Sequence, residues 1–269
     1  KRQIKKLLSS SSTIPIIISL NPDLKSEFGH YLHYDERLAD SCRGFDFEYL
    51  TLGSREMTTD FSNKSWPIIP YFAFSVGESL KGTISINKHN EWVSCYEREI
   101  NDLISTLEFL ERPTYVFLYQ GTSEMILRII KCVVARKKPL PSSLHFVLNF
   151  NGIYMSESIG DHCVQNLRLS EDIVSQREWF AKNYSIHLVS DTEQAIDYMK
   201  LRTGVVLPLL PMFSVSPPSI EELFKKDEKL HKVIGLYPTN AQEGKGFSTV
   251  AEACHILGDS FLSQSVELH

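Results

Sequence analysis

Apolar positions along this chain fall into two alternating patterns. Short runs of strand length are separated by longer stretches with helical spacing. Residues 14–20 form the first apolar run and predict a strand. A loop over 21–28 and a helix from about Gly29 to Cys42 follow, and Gly44 stops the helix. Residues 45–52 read as a second strand. Residues 53–90 are polar and irregular, with a short strand at 68–74. A loop-like insert of that length is uncommon in a compact domain unless it is functional or mobile. Trp92, Tyr96, Ile100, Leu103, Ile104, Leu107 and Leu110 then recur at helical spacing, and Pro113 ends that helix. Residues 114–119 predict a strand with Gln120-Gly121-Thr122 as its exit turn, and 123–135 a helix. Residues 144–150 predict a strand with an asparagine-rich exit, 149–152. A helix over 170–184 and a strand over 186–190 come next. Ser190-Asp191-Thr192-Glu193 fits a capping box that opens a helix to about Leu201, and 205–210 is the last strand of the series.

Strand–helix alternation on this scale implies an α/β fold, a parallel sheet with helices on both faces. Such sheets bind ligands at the carboxyl ends of their strands. The exits after Leu20, Tyr119, Phe150 and Ser190 are therefore where chemistry is expected. Pro211, Pro217, Pro218 and the charged run 221–232 mark a change of character. The chain thus reads as one α/β domain over 13–211, a linker over 212–231, and the beginning of a second α/β domain over 232–269. In that second part, strand 233–237, loop 238–246 and helix 247–257 leave only 12 residues. Each crossover unit needs roughly 30 residues, so the second domain is expected to be incomplete.

Composition narrows the function. Lys and Arg number 28 against 33 Asp and Glu, a net charge of −5, so no cationic surplus exists for a nucleic-acid backbone. A 42% hydrophobic content suits a core-forming protein rather than a disordered one. The apolar runs fall short of the roughly 20 residues that span a bilayer. No transmembrane segment and a cytoplasmic location are expected, a reading compatible with peripheral membrane association. The five cysteines, at 42, 95, 132, 163 and 254, are odd in number and include no Cys-x-x-Cys. Small buried thiols are expected rather than a disulfide framework or zinc site.

No Asp-x-Asp and no Gly-x-Ser-x-Gly occurs, and Gly244-Lys245 lacks the spacing of a Walker A loop. His30 and His33 share a helix face but have no third ligand nearby, so no metal is assigned. The informative loop is Tyr237-Pro238-Thr239-Asn240-Ala241-Gln242-Glu243-Gly244-Lys245-Gly246-Phe247. Glycines flank a lysine between a strand and a helix, which suits a phosphate or diphosphate. An ordinary glycine turn with a solvated lysine fits the same residues. His30 at the first strand exit, Gln120 and Gly121 after the 114–119 strand, and Asn149 and Asn151 after the 144–150 strand are candidate cleft residues. Helix ends, caps and turns account for the same positions. Ser190 and Glu193 read as helix caps.

Segment 236–247 resembles the start of the C-terminal domain in retaining glycosyltransferases of the GT-B type, family 4. Their loops carry Asn-Ala-Arg-x-x-Lys-Gly-like or Gly-Arg-x-x-x-x-Lys-Gly-like patterns. Gly29-His30-Tyr31-Leu32-His33-Tyr34-Asp35 is similar to their first loop and helix. The resemblance implies two facing Rossmann-like domains, the first for acceptor and the second for a nucleotide-diphosphate-sugar donor. It implies transfer to a carbohydrate or lipid-linked acceptor, as in polysaccharide biosynthesis, with no cofactor. Donor contacts would fall on Gly29, Gln242, Gly244, Lys245 and Gly246. Acceptor contacts would fall on His30, Gln120, Gly121, Asn149 and Asn151, with His30 and Lys245 carrying the chemistry. Gln242 stands where the family has arginine, and the family's Glu-x7-Glu segment would lie beyond His269. A nucleotide-sugar epimerase of the same architecture and a non-catalytic carbohydrate-binding domain are the rival readings.

Overall fold

The computed structural model describes residues 4, 8, 12–26, 30–75, 86–150, 160–182 and 185–210. All belong to the first of two compact units, Lys1–Phe213 and Ser214–His269. The linker and second-domain expectations for 212–269 lie outside the described residues.

In chain order the elements are β1 (Ile16–Leu20), α1 (His30–Gly44), β2 (Glu48–Ser54), β3 (Ile68–Phe72), α2 (Ile86–Leu107), β4 (Thr114–Gly121), α3 (Ser123–Val134), β5 (Leu144–Phe150), α4 (Gly160–Ser175), α5 (Arg177–Lys182), β6 (Ile186–Val189) and α6 (Glu193–Thr203). The strands form one six-stranded sheet, ordered β3-β2-β1-β4-β5-β6. Every pairing is parallel. This is a Rossmann-like α/β sheet.

Side-chain alternation along each strand divides the core in two. Ile16, Ile18 and Leu20 join Leu50, Leu52, Val116, Leu118, Phe146 and Leu148 in one apolar cluster. Trp92, Ile100 and Ile104 of α2, Ile126 and Ile130 of α3, Leu169 of α4 and Met199 of α6 complete it. The intervening positions face the other way. Ile17, Tyr49, Phe117, Tyr119 and Val147 meet Leu32, Leu38, Ala39 and Cys42 of α1, together with Phe61 and Trp66. Residues at period 2 in a strand point to opposite faces, so both faces are apolar wherever both are covered.

The helix ends follow local chemistry. Thr122 accepts a hydrogen bond from the Met125 amide and caps α3, with Glu124 in the first turn and Lys131 in the last. Gly204 closes α6 at φ 73°, a left-handed cap whose amide donates to the Lys200 carbonyl.

Several expected boundaries shift. Gln120 and Gly121 are not an exit turn but the last two residues of β4, because a bulge between Leu118 and Gly121 keeps that strand paired with β5. Ser190 is not the cap of α6. Its amide and carbonyl are held by Pro208 and Leu210, so Thr192, whose hydroxyl accepts from the Ala195 amide, takes the role. The strand expected at 205–210 reduces to one parallel bridge, Leu209 to Ser190. The helix expected at 170–184 starts at Gly160 and breaks before α5. The second strand starts at Glu48 because Phe45 and Asp46 turn the chain, Asp46 at φ 57°. The helix ahead of Pro113 ends at Leu107. The expected short strand at 68–74 is β3. Cys42, Cys95 and Cys132 are buried free thiols, as expected.

Gly121 owes its identity to this packing. A Cβ there would lie 2.4 Å from Leu118 Cδ2 and 2.7 Å from its Cγ. Leu118 is fully buried. Gly121→Ala should therefore lower unfolding free energy by about 1–3 kcal/mol, the usual cost of overpacking. Urea denaturation followed by circular dichroism measures it, and an unchanged midpoint would refute the constraint.

Candidate functional site

The chain runs outward from β1 to β2 and β3 on one side, and from β4 to β5 and β6 on the other. The switch between β1 and β4 leaves their carboxyl ends side by side with connections departing in opposite directions. Open α/β sheets bind ligands in that crevice. Asn21 follows β1 there, and Thr122 follows β4.

The first polar group at this edge is Asp35 on α1, only 1% exposed. The Asn21 side-chain amide donates to Asp35 Oδ2 at 2.7 Å, and the Tyr49 hydroxyl donates to Oδ1 at 2.5 Å. The Asn21 amide also reaches the Tyr31 carbonyl at 3.3 Å, and the Asn21 backbone N–H donates to Leu52 O at 2.9 Å. Ser19 and Thr51 lie close by and help to favour the charged form of the carboxyl group. Trp66 donates its indole N–H to Thr51 at 3.0 Å. One side chain thus joins the exit of β1, the body of β2 and the first turns of α1. Burial pushes the Asp35 carboxyl above its usual range, against the pull of its hydrogen-bond donors. The same burial, then the Asp35 charge, pushes the Tyr49 phenol well up.

An aromatic pair adjoins this hub. The Tyr34 and Tyr119 rings lie 4.6 Å apart at 50°. With Asn21, Tyr31 and Asp35 they line a cavity of about 10 Å³, room for one water at most. Burial, then the neighbouring Tyr34, pushes the Tyr119 phenol up.

On the β4 side, Asn149 is fully buried and donates its side-chain amide to Tyr119 O at 2.9 Å. It therefore ties β5 to the exit of β4, leaving Oδ1 without a partner among the described residues. The Ser190 hydroxyl donates to Phe150 O at 2.8 Å. On the β2–β3 side, Glu99 is 5% exposed and accepts from the Ala73 amide at 3.0 Å and from Arg55 at 2.9 Å. Burial raises the Glu99 carboxyl, while the Ala73 amide and Arg55 oppose the rise. Arg55 is half exposed and belongs to the same carboxyl edge. A larger open groove, about 860 Å³, flanks β3 along residues 57–70 rather than the crevice between β1 and β4.

His30 is the first residue of α1 and Gln120 the penultimate residue of β4. The side chains of both lie outside the described residues. So do Gly29, Asn151, Gln242, Gly244, Lys245 and Gly246. His33 is exposed, with Nδ1 3.2 Å from Glu36. No group of three or more histidine, cysteine, aspartate or glutamate side chains that could hold a metal ion occurs among the described residues. No described helix is long and apolar enough to cross a membrane.

Asn21, Asp35 and Tyr49 were not singled out by sequence reasoning. A signal for one existed. Leu32, Asp35, Ala39 and Cys42 follow helical spacing, so the apolar stripe of α1 includes an acid. A charge on a core-facing stripe needs polar partners.

Asp35 makes stability depend on pH. Its folded pKa is raised above the ordinary carboxylate value, so folding favours the protonated form. That contribution is complete below the unfolded pKa and is lost as pH rises through the folded pKa. Against Asp35→Asn, which cannot titrate, the protein should therefore lose relative stability as pH rises from about 4 through the raised folded value. Urea unfolding of both proteins across this range measures it. Parallel stability–pH curves would show that Asp35 is ionised in the fold as readily as in solution.

A scan against protein-family models gives no match to this chain, and a search of curated proteins finds no match either.

Proposed function

We propose that this chain belongs to a glycosyltransferase that moves a sugar from a nucleotide-diphosphate donor to a carbohydrate or lipid-linked acceptor. The observation that carries the reading is the strand order, which reverses between β1 and β4 beside a buried polar hub. The crevice at that reversal is where an α/β sheet of this kind takes a polar ligand. The glycine-flanked Lys245 in Gln242-Glu243-Gly244-Lys245-Gly246 is the second support, drawn from sequence alone.

In this reading the described sheet holds the acceptor. His30 opens α1 at the crevice, and the hub of Asn21, Asp35 and Tyr49 holds that helix against β1 and β2. The chemical demand is to stabilise charge as the nucleoside diphosphate leaves. Preorganised cations and helix-terminal amides meet such a demand. Lys245 supplies the positive charge, and Gly244 and Gly246 let backbone amides approach the phosphates. Gln242 adds hydrogen bonds but no charge, which places the electrostatic burden on Lys245. The same substitution favours a second reading, a carbohydrate-binding domain without transfer activity.

In the complete enzyme of this proposal, Lys245→Ala should cut transfer by at least about tenfold at subsaturating donor, from the loss of a charge-assisted contact of about 1.5–3 kcal/mol. The measurement uses a panel of nucleotide sugars with and without saccharide acceptors. Conversion of donor without any acceptor would indicate an epimerase. Donor binding without turnover would indicate the carbohydrate-binding reading. Near-normal transfer by Lys245→Ala would remove the role assigned to that lysine.

A further inference from the structure

His145 and His187 are the second residues of the neighbouring strands β5 and β6. The pairing sets His187 opposite Val147, so His145 lies two residues earlier on the same face. This is the α1 side of the sheet. His187 is exposed, and His145 is partly so. Their rings meet, with His145 Nδ1 3.2 Å from His187 Nε2 and ring centroids 5.3 Å apart. The Tyr115 ring stacks on His145 at 5.3 Å and 17°, which fixes the plane of that imidazole.

We propose that His145 and His187 form a two-imidazole site for a divalent transition-metal ion such as Ni²⁺, Cu²⁺ or Zn²⁺. The distance is the first reason. Imidazole nitrogens bind such ions at about 2.0–2.1 Å. Two nitrogens 3.2 Å apart then subtend about 100° at one ion, between the square-planar and tetrahedral angles. The second reason is preorganisation. Tyr115 holds one ring, while the exposed His187 ring is free to turn its lone pair toward a common point. The hydrogen bond between the rings gives way to two metal–nitrogen bonds, and the ring that donated it keeps its proton on its other nitrogen.

No third histidine, cysteine, aspartate or glutamate groups with the pair among the described residues. Affinity should follow the general order for nitrogen ligands, with Cu²⁺ above Ni²⁺ and Zn²⁺. The site lies toward the amino ends of β5 and β6, opposite the crevice edge, and stands apart from the proposed sugar transfer.

The test is calorimetric titration of the full chain with NiCl₂, using protein freed of any affinity tag. Nine histidines occur in the sequence, so the other sites need a control. Wild type should bind one Ni²⁺. His187→Ala and His145→Gln should each weaken that binding at least about tenfold, because the second ligand acts at high effective concentration only when both are present. His33→Ala should leave it unchanged. Cu²⁺ electron paramagnetic resonance should show two equatorial imidazole nitrogens in wild type and one in His187→Ala. His187 is exposed, so His187→Ala keeps its fold even where His145→Gln does not, and circular dichroism checks this. Absence of Ni²⁺ binding by wild type, or unchanged affinity in folded His187→Ala, would overturn the proposal.

Discussion

The burial of β1 and β4 on both faces is the constraint on which the rest of this structure depends. Each is flanked by strands on both sides and covered by apolar side chains above and below. Their backbone polar groups are therefore satisfied by the parallel ladders. A parallel strand cannot return by a tight hairpin, so every connection must cross a face of the sheet. Helices α2, α3, α4 and α6 pack against the cluster on one face and α1 against the other. The reversal of strand order between β1 and β4 follows from chain connections departing to opposite sides.

At the carboxyl edge beside that reversal, Asn21, Asp35 and Tyr49 satisfy one another. Asp35 receives neutral donors, and burial is the larger influence on its carboxyl. Glu99 at the far side of the same edge is treated differently: Arg55 approaches it at 2.9 Å and supplies a countercharge. The edge therefore combines a hub made of neutral donors with an ion pair whose cation is half exposed. The first holds α1 in place, and the second gives the β2–β3 end a fixed charge pattern.

Much of the fold was legible because hydrophobic period and length carry it. Residues 144–150 have the length and composition of a strand and nothing that competes with that state. The helices over 86–107 and 123–134 show apolar positions three and four apart. Readings failed where a local signal was overruled by pairing. Gln120-Gly121 looks like a turn, but the neighbouring β5 extends β4 through a bulge, and the clash awaiting any Cβ beside Leu118 explains the glycine. Ser190-Asp191-Thr192-Glu193 fits a capping box, yet Ser190 is engaged by Pro208 and Leu210, so the cap moves to Thr192. For the candidate site, the exits of β1 and β4 were legible from alternation, while the residues that build the hub were not.

Taken alone, the sequence determined the α/β class and the number and approximate places of the described strands up to β6. These depend on periodicity and chain direction, which are local properties. Only the tertiary structure decided that Asp35 meets Tyr49 across 14 positions, that Glu99 meets Arg55, and that His145 meets His187 across 42 positions. Such contacts depend on strand order and register. A shift of one residue in either would send each side chain to the opposite face.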